Sequence, residues 1–110
     1  LVWKGIGPGG VEVGFKGVEK EIEKLYREYD LCVTGGVLKN LSPKDAAAVS
    51  CYVRVFARMS PTQKERVVLD MRDRGHHVMM CGDGTNDVGA LKASHVGVAL
   101  LQPGHTEGGE

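Results

Sequence analysis

The stretch from Val78 to Leu101, VMMCGDGTNDVGALKASHVGVALL, limits what this chain can fold into more than any other. A short apolar run, Val78 to Cys81, ends abruptly at the glycine-flanked carboxylate of Asp83. A second carboxylate follows at Asp87, and a helical pattern starts at once. Such a continuous apolar run suits a strand buried on both faces of a parallel sheet. A carboxylate just past it lies where ligands bind in open α/β sheets, outside the carboxyl ends of the strands. Gly82 and Gly84 let the backbone turn tightly and approach a ligand closely. Asp87 falls near the first turn of the next helix, where the helix N-terminus favours anions. Magnesium is usually held by one or two carboxylates, waters and substrate phosphate oxygens, and Asp83 with Asp87 offers that minimum. An Asx-capped turn is the plainer alternative, but it needs only one Asp-Gly, whereas here two carboxylates flank Asn86 at a strand-to-helix junction.

With 110 residues the chain has the size of one domain, which typically buries roughly two-thirds of its unfolded surface. Its 14 basic and 14 acidic residues cancel, so nothing points to a nucleic-acid or polyanion partner. The apolar runs fall well short of the ~20 residues of a membrane span, and no signal-peptide pattern opens the chain, so a soluble segment is expected. Cys32, Cys51 and Cys81 are odd in number and lie among apolar neighbours, which fits reduced, buried thiols better than disulfides. His76 and His77 combine with them in no recognised zinc spacing. A start at Leu1 and a polar, glycine-rich end fit a piece of something longer.

Gly5, Gly7 and Gly10 spell G-x-G-x-x-G. A dinucleotide fingerprint needs a strand before it and a helix immediately after, whereas Val11, Val13 and Phe15 alternate like a short strand. A hairpin or surface loop is therefore expected, with Val2 and Trp3 starting an edge strand. Val18, Ile22, Leu25 and Tyr29 fall on one face of a helix whose other face is charged. Its Glu23–Arg27 pair contributes only about 0.2–0.5 kcal/mol, so the apolar stripe must hold it. Leu31 to Val33 reads as a strand stopped by Gly35 and Gly36, followed by a short helical turn through Val37, Leu38 and Leu41. Ser42-Pro43-Lys44-Asp45 and Ser60-Pro61-Thr62-Gln63 are two helix starts written alike: an N-cap serine, proline at the first position and an acceptor three residues on. The first helix is expected to reach about Ser50, with a strand from Val53 to Ala57 after it. The second spans Pro61 to Arg74 with Val67, Val68 and Met71 inward, and ends at Gly75. Alternating helix and strand to Leu101 argues for an α/β fold with a doubly wound, mostly parallel sheet. Residues 102–110 are expected to be a disordered tail.

Lys64 lies one turn into the second of these helices, just past a strand end, which puts an ammonium near the rim that carries Asp83 and Asp87. Most such lysines are merely solvated. Phosphoryl transfer, however, needs a fixed cation besides the metal for the charge spread over the phosphoryl oxygens.

FARMSPTQKERVVL followed by GDGTNDVGALKASHVGVALL resembles the C-terminal half of the phosphorylation domain of P-type ATPases, a domain of haloacid-dehalogenase fold. The two blocks match in order and spacing over about half the chain. GDGTNDVGALK with SHVGVALL, preceded by DLCVTGG, is most similar to the type-five branch of the endoplasmic reticulum. Other branches usually read NDAPAL and ADIGIA or ADVGIA there, and the flippase branch shares AHVGV without GALK. The resemblance implies that Asp83 ligands magnesium and that Asp87 supports the metal and the nucleophile. It implies that Asn86 orients the phosphoryl group and that Lys64 pairs with the phosphoryl oxygens and the nucleophilic carboxylate. Gly82, Gly84 and Thr85 would line the cofactor-binding loop. ATP, Mg2+ and the other domains of the parent chain would be the partners, with the membrane reached only through helices absent here. The parent would sit in the endoplasmic reticulum membrane, this segment on its cytosolic side, and act in removing mislocalised transmembrane helices.

The departures matter as much. DKTGT, whose aspartate is phosphorylated, does not occur, and Thr34-Gly35-Gly36 matches the family's TGD by letters alone. The expected fold is therefore a partial haloacid-dehalogenase-like sheet lacking its nucleophile-bearing central strand, with 1–52 a peripheral hairpin and helical part and 53–101 the C-terminal core. Two other readings stay open: a soluble phosphatase of the same fold, and a truncated, non-catalytic binding remnant.

Overall fold

The computed structural model describes residues 2–4, 12–14, 19–101 and 103. The expectations for the glycines at 5–10, for Phe15 and Val18, and for nearly all of the tail lie outside them. Two compact units divide the chain, Leu1–Arg58 and Met59–Glu110.

In the first unit, β1 (Val2–Lys4) and β2 (Glu12–Gly14) form the expected antiparallel hairpin, with Trp3 opposite Val13. Helix α1 (Glu19–Glu28) buries Ile22 and Leu25. Its Glu23–Arg27 bridge, 3.0 Å long, is open to solvent. Tyr29, expected on the buried stripe, is 42% exposed and lies one residue past the end of α1. Strand β3 (Cys32–Thr34) pairs in parallel with β4 (Val55–Ala57). Parallel strands require a long crossover, and α2 (Gly35–Lys39) with α3 (Pro43–Tyr52) supplies it. Gly35 and Gly36 thus open a helix as well as end a strand. Ser42 caps α3 by accepting from the Asp45 N–H at 3.2 Å, and α3 runs two residues past Ser50. Leu31, Val33, Leu38, Ala48, Val49 and Val53 complete the core.

In the second unit, α4 (Pro61–Asp73) carries the full capping box: Ser60 Oγ accepts from the Gln63 N–H at 3.2 Å, and Gln63 Oε1 accepts from the Ser60 N–H at 3.0 Å. Gly75, at φ +91°, adopts the left-handed conformation that follows a helix end. Strand β5 (Met79–Gly82) pairs in parallel with β6 (Val96–Ala99), and α5 (Val88–Ala93) crosses between them. α5 lies against both strands and α4 packs on α5, around Val67, Val68 and Ala90. Met71 is half-buried, and Asp70, unforeseen, is buried and held by Arg66 Nε at 3.0 Å. Replacing Ser60 by Ala is expected to lower stability by about 1 kcal/mol, read as a fall in denaturant midpoint at unchanged slope.

Among the described residues the strands pair two by two, in one antiparallel and two parallel ladders. The fold is α/β with parallel strands, and partial. The expectations of burial need correction. The Val78–Cys81 run is not buried on both faces: Met79 is 69% exposed, and every β6 residue is exposed. A strand with one neighbour and one covering helix keeps an open face. For the same reason Cys32 and Cys81 are exposed, not buried; Cys51 is half-buried.

Candidate functional site

The site lies at the carboxyl end of β5. Gly82 is the last residue of that strand, and the turn beyond it is made by Gly84, whose φ of +84° favours glycine. Asp83 follows β5 directly and is exposed. Its Oδ1 accepts from the Thr85 N–H at 3.0 Å and from Thr85 Oγ1 at 2.9 Å, so the hydroxyl of Thr85 is turned to this carboxylate. Those two bonds, then the Asn86 N–H and the Lys64 charge, hold the Asp83 carboxyl below its ordinary 3.8, against a smaller opposing effect of desolvation. Asn86 itself is exposed.

Asp87 occupies the N-cap of α5 yet makes no side-chain cap. Its carboxylate instead accepts from Lys64 Nζ at 2.8 Å. The Asp87 side chain is 11% exposed and that of Lys64 36%. Gly82 makes this possible: a Cβ there would stand 2.9 Å from both Cβ and Cγ of Asp87, closer than such atoms approach. The glycine expected to serve the turn therefore serves the seating of a carboxylate. Lys64 reaches it because the Ser60 capping box sets where α4 begins, and α4 and α5 pack along one another.

Lys64, Asp87 and Gly82 are thus in direct contact, with Asp83 and Thr85 beside them in one loop. Among the described residues no three His, Cys, Asp or Glu side chains gather into an all-protein metal cage. An exposed carboxylate kept ionised by backbone donors, with a second one fixed nearby, instead fits a magnesium ion that keeps waters and takes substrate oxygens. Two neighbours escaped the motif reading. Glu65 lies over Gly89, where a Cβ would stand 2.5 Å from Glu65 Oε1. Arg72 donates to the Ala93 carbonyl at 2.6 Å. A glycine inside a short helical pattern was the available signal for the first; nothing local announces the second.

No protein-family model matches the chain. It is 50% identical over 78 residues to the endoplasmic reticulum transmembrane helix translocase of Schizosaccharomyces pombe, a match covering 70% of this chain and 6% of that protein. The Saccharomyces cerevisiae protein of the same name is 48% identical over 79 residues, covering 71% and 6%. The chain belongs to the P-type ATPases, as a stretch of their catalytic region. The probable manganese-transporting ATPase PDR2 of Arabidopsis thaliana is 51% identical over 84 residues, covering 76% of this P-type ATPase segment and 7% of its own length. The segment thus spans under a tenth of each of these relatives. Among solved structures, the catalytic domain of the CPx-ATPase CopB-B aligns with 80% of the segment and 36% of that domain, at a TM-score of 0.41 and 26% identity.

Replacing Thr85 by Val removes the hydroxyl donor and keeps the backbone one. The Asp83 carboxyl is then expected to titrate closer to 3.8, read from its carboxyl carbon shift by NMR. The sign follows: a depressed carboxyl favours the folded loop above 3.8, and that contribution fades as pH falls through the folded value.

Proposed function

We propose that this chain supplies the magnesium-and-phosphate half of the site at which a type-five P-type ATPase, in a haloacid-dehalogenase-like domain, forms and hydrolyses an aspartyl phosphate. Residues 53–101 belong to the core of that domain in this reading, and 1–52 to its periphery. The observation that carries it is the 2.8 Å Lys64–Asp87 pair seated on Gly82 beside the Asp83 loop.

Asp83, with Asp87 behind it, would hold Mg2+, which when bound neutralises charge on the phosphoryl oxygens. Lys64 has a different task. Its ammonium is already placed by Asp87, so it meets an incoming phosphoryl group without reorganisation, and preorganised charge is what stabilises a charge-spread transition state. Asp87, nearly buried and held by that one cation, keeps the lysine from folding back into solvent. Asn86, exposed at the loop tip, is free to orient the phosphoryl group. Gly82 and Gly84 keep the loop narrow, and Thr85 fixes the Asp83 carboxylate. The chain carries no DKTGT nucleophile, so the covalent step needs a carboxylate that it does not itself provide. The half-identical translocases support a parent in the endoplasmic reticulum membrane that uses ATP to remove transmembrane helices, with this segment on the cytosolic side; no helix among the described residues is long and apolar enough to cross a membrane.

Titrating the 15N-labelled chain with magnesium and inorganic phosphate is expected to shift the amides of Asp83, Gly84 and Asp87, and Asp83→Asn to abolish the shifts. Labelled ATP with magnesium is expected to leave no acid-stable label on the chain. Unmoved loop amides, or a phosphorylated chain, would overturn this reading.

A further inference from the structure

At the end of the β5–β6 ladder remote from Asp83, the backbone of Val78 is bonded on both of its polar groups to one stretch of chain. Its carbonyl accepts from the N–H of His95 at 2.9 Å and of Val96 at 3.2 Å. Its own N–H donates to Nδ1 of the His95 ring at 3.0 Å. That last bond, between residues 17 apart in sequence, requires an unprotonated Nδ1, since both imidazolium nitrogens are donors. His77 packs edge-on against the ring, with centroids 5.0 Å apart and planes at 65°. Arg72, in the last turn of α4, pins the same connection through the Ala93 carbonyl at 2.6 Å. Ser94 Oγ donates to the Leu91 carbonyl at 2.6 Å. The last turn of α5 adds Lys92, while Asp73, beside Arg72 in sequence, is engaged by Arg66 at 3.6 Å.

We propose that His95 is a pH-sensitive latch: neutral, it adds a third tie between the α5–β6 connection and the start of β5 by accepting from Val78; protonated, it turns a donor on a donor and loosens that connection, leaving the two bonds to the Val78 carbonyl. The loosening is one-sided because the groups that act on the ring, Arg72 and His77, are cationic or able to become so. Partial desolvation, then Arg72 and His77, hold the imidazole below its ordinary 6.5. In the window between that lowered value and 6.5 the unfolded chain binds more protons than the folded one. Stability there rises with pH, and acidification through 6.5 removes it. The latch is independent of the phosphate-site reading, since Asp83 and Asp87 lie at the other end of the ladder.

The test compares the chain with His95→Asn, whose Oδ1 occupies the position of Nδ1 and accepts without titrating. Urea unfolding is followed at about pH 7.5 and about pH 5.5, the span over which histidine changes charge. The original chain is expected to lose stability on acidification, and His95→Asn to lose measurably less. His77→Asn, which leaves the Val78 bond intact, is expected to keep most of the loss. Because the chain has four histidines, only the difference between parent and variant is assigned to His95. If His95→Asn does not fold, the Val78 amide of the parent chain serves instead: its shift is expected to follow the His95 ring with a midpoint below 6.5. Equal losses in parent and His95→Asn, a ring midpoint at or above 6.5, or a random-coil Val78 amide at both pH values would each overturn the proposal.

Discussion

Replacing Lys64 by Met is expected to destabilise the chain by about 1–3 kcal/mol, because it leaves the Asp87 carboxylate nearly buried without its partner. Breaking a fully buried ion pair costs about 3–5 kcal/mol, but the Lys64 side chain is 36% exposed. Water reaching its place recovers part of the loss, and the lower range applies. The double variant Lys64→Met with Asp87→Asn removes the orphaned charge along with the cation. It is expected to recover part of the stability, giving a coupling that a thermodynamic cycle over the four proteins measures. Additive effects would mean that the 2.8 Å contact contributes nothing in solution. Gly82→Ala probes the same pair from behind, since its methyl would stand 2.9 Å from Asp87 Cβ and Cγ and displace the carboxylate from the lysine.

Gly97→Ala is expected to destabilise the second unit by about 1–3 kcal/mol, through overpacking against main chain. A methyl on Gly97 would stand 2.7 Å from the Leu91 carbonyl oxygen and 3.3 Å from its carbon. Those atoms belong to α5 and move only if the helix moves off β6. Removing a strand glycine gains about 0.5–1 kcal/mol by restricting the unfolded chain, which is the smaller term. Gly89→Ala makes the contrast. There the close neighbour is the flexible end of Glu65, which can swing aside, and alanine in a helix gains up to about 1 kcal/mol over glycine. Gly89→Ala is therefore expected to be neutral or stabilising. Chemical denaturation of both variants decides it: equal midpoints would remove the distinction between a backbone wall and a movable side chain.

What could be read in advance follows the range of the interactions concerned. The Ser60 capping box, the Ser42 cap, the left-handed Gly75 and the Glu23–Arg27 bridge all join residues a few positions apart. Such contacts are written into consecutive letters, and the helices starting at Pro43 and Pro61 were legible nearly to the residue. In the Asp83 loop Thr85 likewise reaches back only two positions to the carboxylate, which makes the Asx turn set aside in favour of a two-carboxylate site. The burial of the strands was not legible. Four apolar letters, Val78 to Cys81, describe a strand that would be buried in a wide sheet, but they do not say how many neighbours it has. With β6 as partner and α5 on one side, Met79 and Cys81 face outward. Tyr29 went astray similarly, since an apolar period does not tell where packing stops.

The local chemistry of this protein, its caps, its turns and the carboxylates after β5, was determined by sequence alone, because each depends on groups within about one helical turn of one another. The pairing of Lys64 with Asp87, the service of Gly82 to that pair, and the hold of His95 on Val78 were decided only by tertiary structure. Each spans five to 23 positions, and over such gaps only the packing of α4 on α5 and of α5 on the β5–β6 ladder sets which side chains meet.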